Sequence, residues 1–390
     1  MPQYSIVVLA YNVEDYLPAC LDSLKQQSFE DWEAIVVVDA SPDDCAAIVR
    51  RYEIADSRFK AIIKDKNEGT HLARRSGTLA TSGCWVTYLD GDDEFAPDAL
   101  EMISDALEKE PCDLLRFGVV VEQAGATKEA CEACEAYANR PLEPCSGQQS
   151  LHWTFDQDGG YKQDWRAWSN VVRGDIARQA FSTMTTNRLG RSQDSYEFFV
   201  MLSLVESQIT RTDIRGYRYQ YGRGVSGAQR LSVEKFVSYA EQFASVFGAM
   251  ADYANGFTEY DMTSAAEGGR VKLTEMLFTD WRNRVVDEDK VEAACQSVAF
   301  LGADAVASEL MRIVRDCAYE NWVRQEPLAD DSPVYEWYAL ACELAQTECS
   351  SERYRLFESS ASGHLRDLVN LSKPRVGRGH LKALLAHLHR

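Results

Sequence analysis

The sequence of 390 residues contains no apolar run approaching the roughly 18 residues that a membrane-crossing helix requires, so no transmembrane segment is expected. Nor does a basic stretch with a cleavable apolar segment precede Tyr4-Ser5-Ile6-Val7-Val8-Leu9, which makes secretion unexpected. Eleven cysteines could suggest disulfides, yet Cys20 and Cys84 fall inside helical or strand patterns, as small buried thiols do; a reduced, cytoplasmic setting is the expectation. Positive charge is short: 41 Lys and Arg stand against 61 Asp and Glu, for a formal net charge of −20. Nucleic acid is thereby disfavoured as a partner, although a local basic patch or a metal can still attract an anionic small ligand. After the first strand-like run, Ala10-Tyr11-Asn12-Val13 offers no glycine-rich, arginine-bearing phosphate loop and no GxGxxG. These two absences count against a nucleotidyltransferase and a nicotinamide enzyme.

The length exceeds one ordinary domain, and 45% hydrophobic content is enough to bury a real core. Over the first 122 residues the apolar period alternates. Strands are expected at 5–10, 33–39, 59–64, 85–89 and 114–121, and helices at 14–27, 43–52, 70–81 and 97–110, with Asn12 as a cap. Such alternation implies an α/β fold with a mainly parallel sheet and helices on both faces. From 122 to 164 the pattern dissolves into an irregular excursion with room for short helices. Order returns at 165–181, at 194–204 and in the aromatic run Tyr217-Arg218-Tyr219-Gln220-Tyr221. Beyond Leu231 the periodicity is almost wholly helical. The expected organisation is a first domain over 1–229, a helical domain over 230–371 and a tail over 372–390. That tail holds five Lys or Arg and no acid, with Leu381, Leu384, Leu385 and Leu388 on one helical face. It could rest on an anionic membrane or pack as an ordinary terminal helix.

The most informative feature is Asp90-Gly91-Asp92-Asp93, directly after the apolar run Trp85-Val86-Thr87-Tyr88-Leu89. Residues i and i+2 of an extended segment point the same way, so Asp90 and Asp92 can converge where the strand ends. Two hard carboxylates there suit Mg²⁺ or Mn²⁺ shared with a phosphate, and a diphosphate leaving group needs such a cation. An acidic turn is the plain alternative. Cys131-Glu132-Ala133-Cys134 with Cys145 and His152 is a weak zinc signal and reads more simply as loop cysteines.

Four blocks occur in order. They are Ser5-Ile6-Val7-Val8-Leu9-Ala10-Tyr11-Asn12, Val37-Val38-Asp39-Ala40-Ser41-Pro42-Asp43, Asn67-Glu68-Gly69 with Ala73-Arg74, and Leu89-Asp90-Gly91-Asp92-Asp93. Together, over about 120 residues, they resemble the family 2 glycosyltransferases of GT-A fold. The resemblance implies an inverting enzyme that moves a sugar from a nucleotide-diphosphate donor, a UDP-sugar by preference, to a hydroxyl of a glycan or lipid-linked acceptor in surface-glycan synthesis. It implies a donor site of Ala10, Tyr11, Asn12, Asp39, Arg74, Asp90 and Gly91, with Asp39 accepting from the base. Asp90 falls mainly on the ribose side and Asp92 on the cation, and Asp93 supports the metal or faces the acceptor. In Ser192-Gln193-Asp194-Ser195-Tyr196-Glu197 it makes Asp194 the general base, with Glu197 as fallback, and it sets Trp168 near the acceptor. Tyr219, Tyr221, Arg223 and Ser226 resemble a closing segment in which Arg223 swings over the diphosphate.

Each residue also has a plain alternative. Asp39 could cap the turn at Ser41 and Asp43, Arg74 could be a solvated helix charge paired to Glu68 or Asp65 beside an exposed Arg75, and Trp168 could be core. Asp194 could be a helix cap, and Arg223 an ordinary loop charge. Val38, Asn170 and Gln193 stand where the family carries an acid, a basic residue and a Glu. Val38 and Gln193 keep open a non-catalytic nucleotide-sugar-binding or scaffolding protein.

Overall fold

A computed structural model describes residues 1–156, 160–223, 230–329, 331–347 and 351–371. Ser226 and the basic tail at 372–390 lie outside the described residues. The chain divides into two units, one of 1–227 with 245–270 and one of 228–244 with 271–390.

In the first unit the strands are β1 (Tyr4–Ala10), β2 (Trp32–Val38), β3 (Phe59–Ile63), β4 (Trp85–Asp90), β5 (Glu94–Phe95), β6 (Leu114–Gln123), β7 (Asn170–Arg173) and β8 (Gln208–Tyr221). The helices between them are α1 (Leu17–Lys25), α2 (Cys45–Ala55), α3 (Thr70–Leu79), α4 (Ala99–Lys109), α5 (Lys128–Ala138), α6 (Gly147–Phe155), α7 (Gly174–Thr183) and α8 (Gln193–Leu204). All eight strands form one sheet in the order β3-β2-β1-β4-β7-β6-β8-β5. β3, β2, β1 and β4 run parallel, and β7 is antiparallel to both of its neighbours. The sheet is therefore mixed, parallel in its first half.

β1 and β2 are buried almost throughout, as strands covered on both faces must be, which is why their sequences read as continuous apolar runs. Register brings Leu9 beside both Val37 and Asp90, so β1, β2 and β4 end at one level. Everything that follows those ends shares the carboxyl edge of the sheet, where open α/β sheets bind ligands. Asn12 (φ 57°) and Ala40 (φ 52°) turn left-handed just past the strands. Asn12 is not a helix cap: α1 begins only at Leu17, and Tyr16 precedes it.

The 122–164 stretch is less irregular than its composition suggested, because Thr127 and Ser146 accept from backbone amides and start α5 and α6. α8 is buried on nearly every side from Ser195 to Ser203. The second unit is helical. Within it Trp281 lies 5.1 Å from the Trp337 ring, and its indole N–H donates to the Lys290 carbonyl at 2.8 Å. Among the described residues no helix is long and apolar enough to cross a membrane.

Candidate active site

The turn after β4 is locked before any ligand is considered. The Gly91 amide donates to the Leu9 carbonyl at 3.0 Å, and a Cβ at Gly91 would stand 2.6 Å from that same oxygen. Only glycine lets the chain pass so close. Asp93 is 1% exposed and both of its oxygens are engaged: Tyr217 Oη donates to Oδ2 at 2.8 Å and the Gln220 amide to Oδ1 at 2.7 Å. Burial, with the charges of Asp90 and Asp92, raises its carboxyl to about 8. Asp93 thus ties β8 to the turn and does not face an acceptor. Trp168 stands behind it, half-buried against the core and stacked on Tyr217 at 4.7 Å and on Tyr219 at 4.9 Å, so it supports the turn. Asn170, in the family's basic position, is buried and donates to the carbonyls of Arg166 and Trp168.

Asp90 and Asp92 remain on the open side, both partly exposed. Desolvation and the charges of Asp92 and Glu197 raise Asp90 to about 6 despite Arg74; desolvation raises Asp92 against the pull of Arg223. A pair of hard oxygen donors whose ionised forms are disfavoured is short of positive charge, and such a pair fits Mg²⁺ or Mn²⁺. Among the described residues no three His, Cys, Asp or Glu side chains form a protein-only cage, so an ion on Asp90 and Asp92 would complete its shell with phosphate and water. Arg223 donates to the Asp92 carbonyl at 2.9 Å and lies over the Tyr16 ring at 4.3 Å, bracing the turn.

Arg74 is 3% exposed, neither a solvated charge nor a partner of Glu68 or Asp65. It pairs with Glu197 Oε2 and lies 3.8 Å from Asp90 Oδ1. Burial opposes its charge, but Glu197 and Asp90, with Asp194, outweigh that and hold its pKa above the ordinary value. Arg75, expected at the surface, is half-buried. Glu197 is fully buried between Arg74 and His71, whose Nδ1 lies 2.9 Å from Oε1, so it has no free face for an acceptor and is not the fallback base.

Asp194 opens α8, partly exposed, one oxygen taking the Ser195 amide at 3.1 Å. Desolvation raises it to about 7, with Glu197 and Asp90 adding to the rise and Arg74 opposing it. Those mutual influences join Asp90, Arg74, Asp194 and Glu197 in one electrostatic cluster.

Asp39 lies just past the end of β2, with β1 between it and β4. It does not cap Ser41 and Asp43, since Ser41 Oγ bonds to Asp43 at 2.5 Å and Asp43 takes the Cys45 amide. Instead its carboxylate accepts the amides of Glu68 at 3.0 Å and Gly69 at 2.7 Å. It thereby fixes the 67–69 loop that starts α3, while carboxylate acceptor capacity remains. Arg188 holds Asn67 of that loop from the other side. Tyr11 is 50% exposed, the Asn12 amide donates to Ser41 Oγ, and the Ala10 carbonyl takes the Asp39 amide. His152, of the cysteine cluster, bonds Asp156 at 2.8 Å.

Reasoning from sequence missed two contributors, His71 and Tyr217. The signal for His71 is its spacing with Arg74 and Thr78, three polar residues on the face of α3 that packs inward. Tyr217 gave none beyond its place in an aromatic run.

Residues 5–130 match the model of glycosyl transferase family 2. Among curated relatives, EpsH of Bacillus subtilis strain 168 is 32% identical over 143 residues, 36% of this chain and 41% of its own length. EpsJ of the same organism, an uncharacterized glycosyltransferase, is 33% identical over 180 residues, 46% of this chain and 50% of its own length. The chain thus spans about half the length of these relatives or less. Residues 1–349 of Staphylococcus aureus TarS, crystallised with UDP-GlcNAc, superpose with a TM-score of 0.56 at 14% identity, covering 92% of this chain and 91% of that one. The fold is accordingly of GT-A type, and residues 5–130 are similar to glycosyl transferase family 2.

Proposed function

We propose that the protein moves one sugar from a nucleotide-diphosphate donor, a UDP-sugar by preference, to a hydroxyl of a glycan or lipid-linked glycan, with inversion. The single observation that carries this reading is the Asp90–Arg74–Asp194 cluster at the carboxyl edge of β4, on the same sheet edge as Asp39 across β1. In the reaction the acceptor oxygen attacks the anomeric carbon, its proton passes to a carboxylate oxygen of Asp194, and the bond to the diphosphate breaks with its electrons. A base near pH 7 is suited to that proton transfer. Asp39 would accept from the base, Asp90 would meet the ribose and metal, and Asp92 would hold the metal. When bound, Mn²⁺ or Mg²⁺ would neutralise charge on the departing diphosphate. The reading includes surface-glycan synthesis at the cytoplasmic face of a membrane, with the 372–390 tail as the contact; the tail's charge and leucine face support this.

A thermal-shift panel of UDP-, GDP- and CDP-sugars, with and without Mn²⁺, tests the donor and metal assignments together. One class should stabilise the protein, and only with metal, because a ligand bound to the native state raises stability by mass action. Stabilisation by none of them would remove the reading.

A further inference from the structure

The mechanism above leaves a fully buried titratable group beside Glu197 unused. His71, on the first turn of α3, is 0% exposed. Its Nδ1 lies 2.9 Å from Glu197 Oε1 and its Nε2 lies 3.0 Å from the backbone carbonyl oxygen of Thr185. A carbonyl oxygen only accepts, so Nε2 must carry a hydrogen. The other contact, imidazole nitrogen to carboxylate oxygen, also needs one proton between the two atoms. Glu197 Oε2 is occupied by Arg74, which always carries its charge. Counting these protons, Arg74, Glu197 and His71 together bear one positive charge, on whichever side of the Nδ1–Oε1 contact the proton rests. A neutral ring with its only proton on Nδ1 would set a bare lone pair against the Thr185 carbonyl, an arrangement that burial makes costly.

The charge matters for what lies beyond Arg74. A buried Arg–Glu pair alone is neutral, and Asp90 and Asp194 would then face no net compensation. With the His71 proton, Glu197 is balanced from behind and the guanidinium charge is left to the two aspartates. We propose that His71 is a positioning residue for the transfer reaction: it holds Glu197 so that Arg74 presents a net positive charge to Asp90 and Asp194. The charged groups facing Asp194 are Arg74 from α3, Glu197 from its own helix and Asp90 from β4. His71 meets Glu197, with Arg74 on the far oxygen of that carboxylate, and is flanked by the Thr185 carbonyl and the Tyr196 ring at 5.9 Å. The role of Asp194 in this proposal rests on the reading under Proposed function, whereas the protonation of His71 does not.

Two measurements test it separately. The first is a ¹⁵N–¹H NMR spectrum of the full chain with labelled histidine at pH 7, His71 assigned by comparison with His71→Gln. Protons on Nε2 and in the Nδ1–Oε1 contact are expected; a ring with one proton only, on Nδ1, overturns the proposal. The second is the pH–rate profile of sugar transfer for wild type, His71→Gln and His71→Asn. With one charge lost, the acidic limb should move to higher pH by about one unit, as removal of a nearby opposite charge does. The kcat at pH 6.5 should fall several-fold while KM for the donor stays within about twofold. An unmoved limb with wild-type kcat overturns the positioning role even if the NMR result holds. Should His71→Gln fail to fold, the wild-type spectrum and the milder His71→Asn profile still decide. Absence of all transfer in wild type would instead strike at the proposed function and leave the NMR result standing.

Discussion

The Tyr217 hydroxyl donates to Asp93 Oδ2 at 2.8 Å and accepts the Asp90 amide at 3.3 Å, so one oxygen fastens strand β8 to both ends of the Asp90–Asp93 turn. Tyr217 is fully buried and Asp93 nearly so. The aspartates of the proposed donor site are therefore held by a group more than 120 residues away in the chain. Tyr217→Phe should keep the aromatic stack on Trp168 but leave two buried polar groups short of a partner. The expected cost is about 1–3 kcal/mol of stability, read by urea denaturation. Mn²⁺-dependent donor binding should weaken more than this global loss explains, because the turn itself loosens. A variant with wild-type donor affinity would separate the turn from β8.

Asp194→Asn should lower transfer by about 10²–10⁴-fold, the usual worth of a positioned base, while donor binding persists. The pH dependence follows from its elevation to about 7. A base works only when ionised, so the wild-type rate should fall about tenfold per unit below that pH and level above it. Near-normal transfer by the Asp194→Asn variant, or a wild-type rate flat from about pH 5 to 8, would place the base elsewhere.

Much of this architecture was legible because it repeats a period. β1, β2 and the middle of β4 are covered on both faces and so announce themselves as apolar runs, and the helices between them alternate on schedule. Asp90 and Asp92 drew notice because acids follow an apolar run directly, although Asp92 lies past the strand in a turn closed by the Asp93 amide on the Asp90 carbonyl. What could not be read was direction. Asp93 resembles its neighbours in sequence, yet it turns inward to Tyr217, a partner that only tertiary pairing of β8 supplies. Arg74 is similarly a charged residue in a helix, and nothing local says that it buries itself against Glu197. β5 spans two residues and β7 four, too short to show a period. α5 and α6 are the short helices for which the 122–164 stretch had room; their positions went unread in a segment rich in Ala, Glu and Cys, although Thr127 and Ser146 mark their starts.

Gly91→Ala tests how tightly the turn is threaded through the sheet edge. Its Cβ would meet the Leu9 carbonyl at 2.6 Å, with the Val13 and Leu17 side chains at 3.1 and 3.5 Å, and a backbone oxygen of a buried strand has little room to give. The expected outcome is a loss of about 1–3 kcal/mol, typical of overpacking, with Mn²⁺ affinity reduced because Asp90 and Asp92 shift together. Gly248→Ala is the matched control: it lies within a helix and its Cβ would meet nothing within 4 Å. That change should be neutral or gain up to about 1 kcal/mol from helix propensity. Equal losses at both positions would mean that the close approach at Leu9 is not what matters.

Asp93 makes stability depend on pH in a direction opposite to that of an ordinary ion-paired carboxylate. Its folded value of about 8 lies above the 3.8 expected of an unhindered aspartate, so the native state holds a proton that the unfolded chain releases. Its contribution is complete below about pH 4 and is lost as pH climbs through about 8, at up to about 1.4 kcal/mol per pH unit for one proton. Asp90 and Asp194, raised to about 6 and about 7, act in the same sense and steepen the lower part of that window. Urea midpoints between about pH 5 and pH 9 should therefore fall with rising pH. The Asp93→Asn variant cannot titrate there, so its curve should be flatter above about pH 7, where the other two are already ionised. It should also start lower, because its amide sets an N–H group against either the Gln220 amide or the Tyr217 hydroxyl. Added Mn²⁺ would lift the alkaline end in the wild type by favouring the ionised forms of Asp90 and Asp92. If the wild-type midpoint rises from about pH 7 to 9, or the Asp93→Asn curve runs parallel to it, Asp93 is ionised in the fold and the turn is held by charge instead of a shared proton.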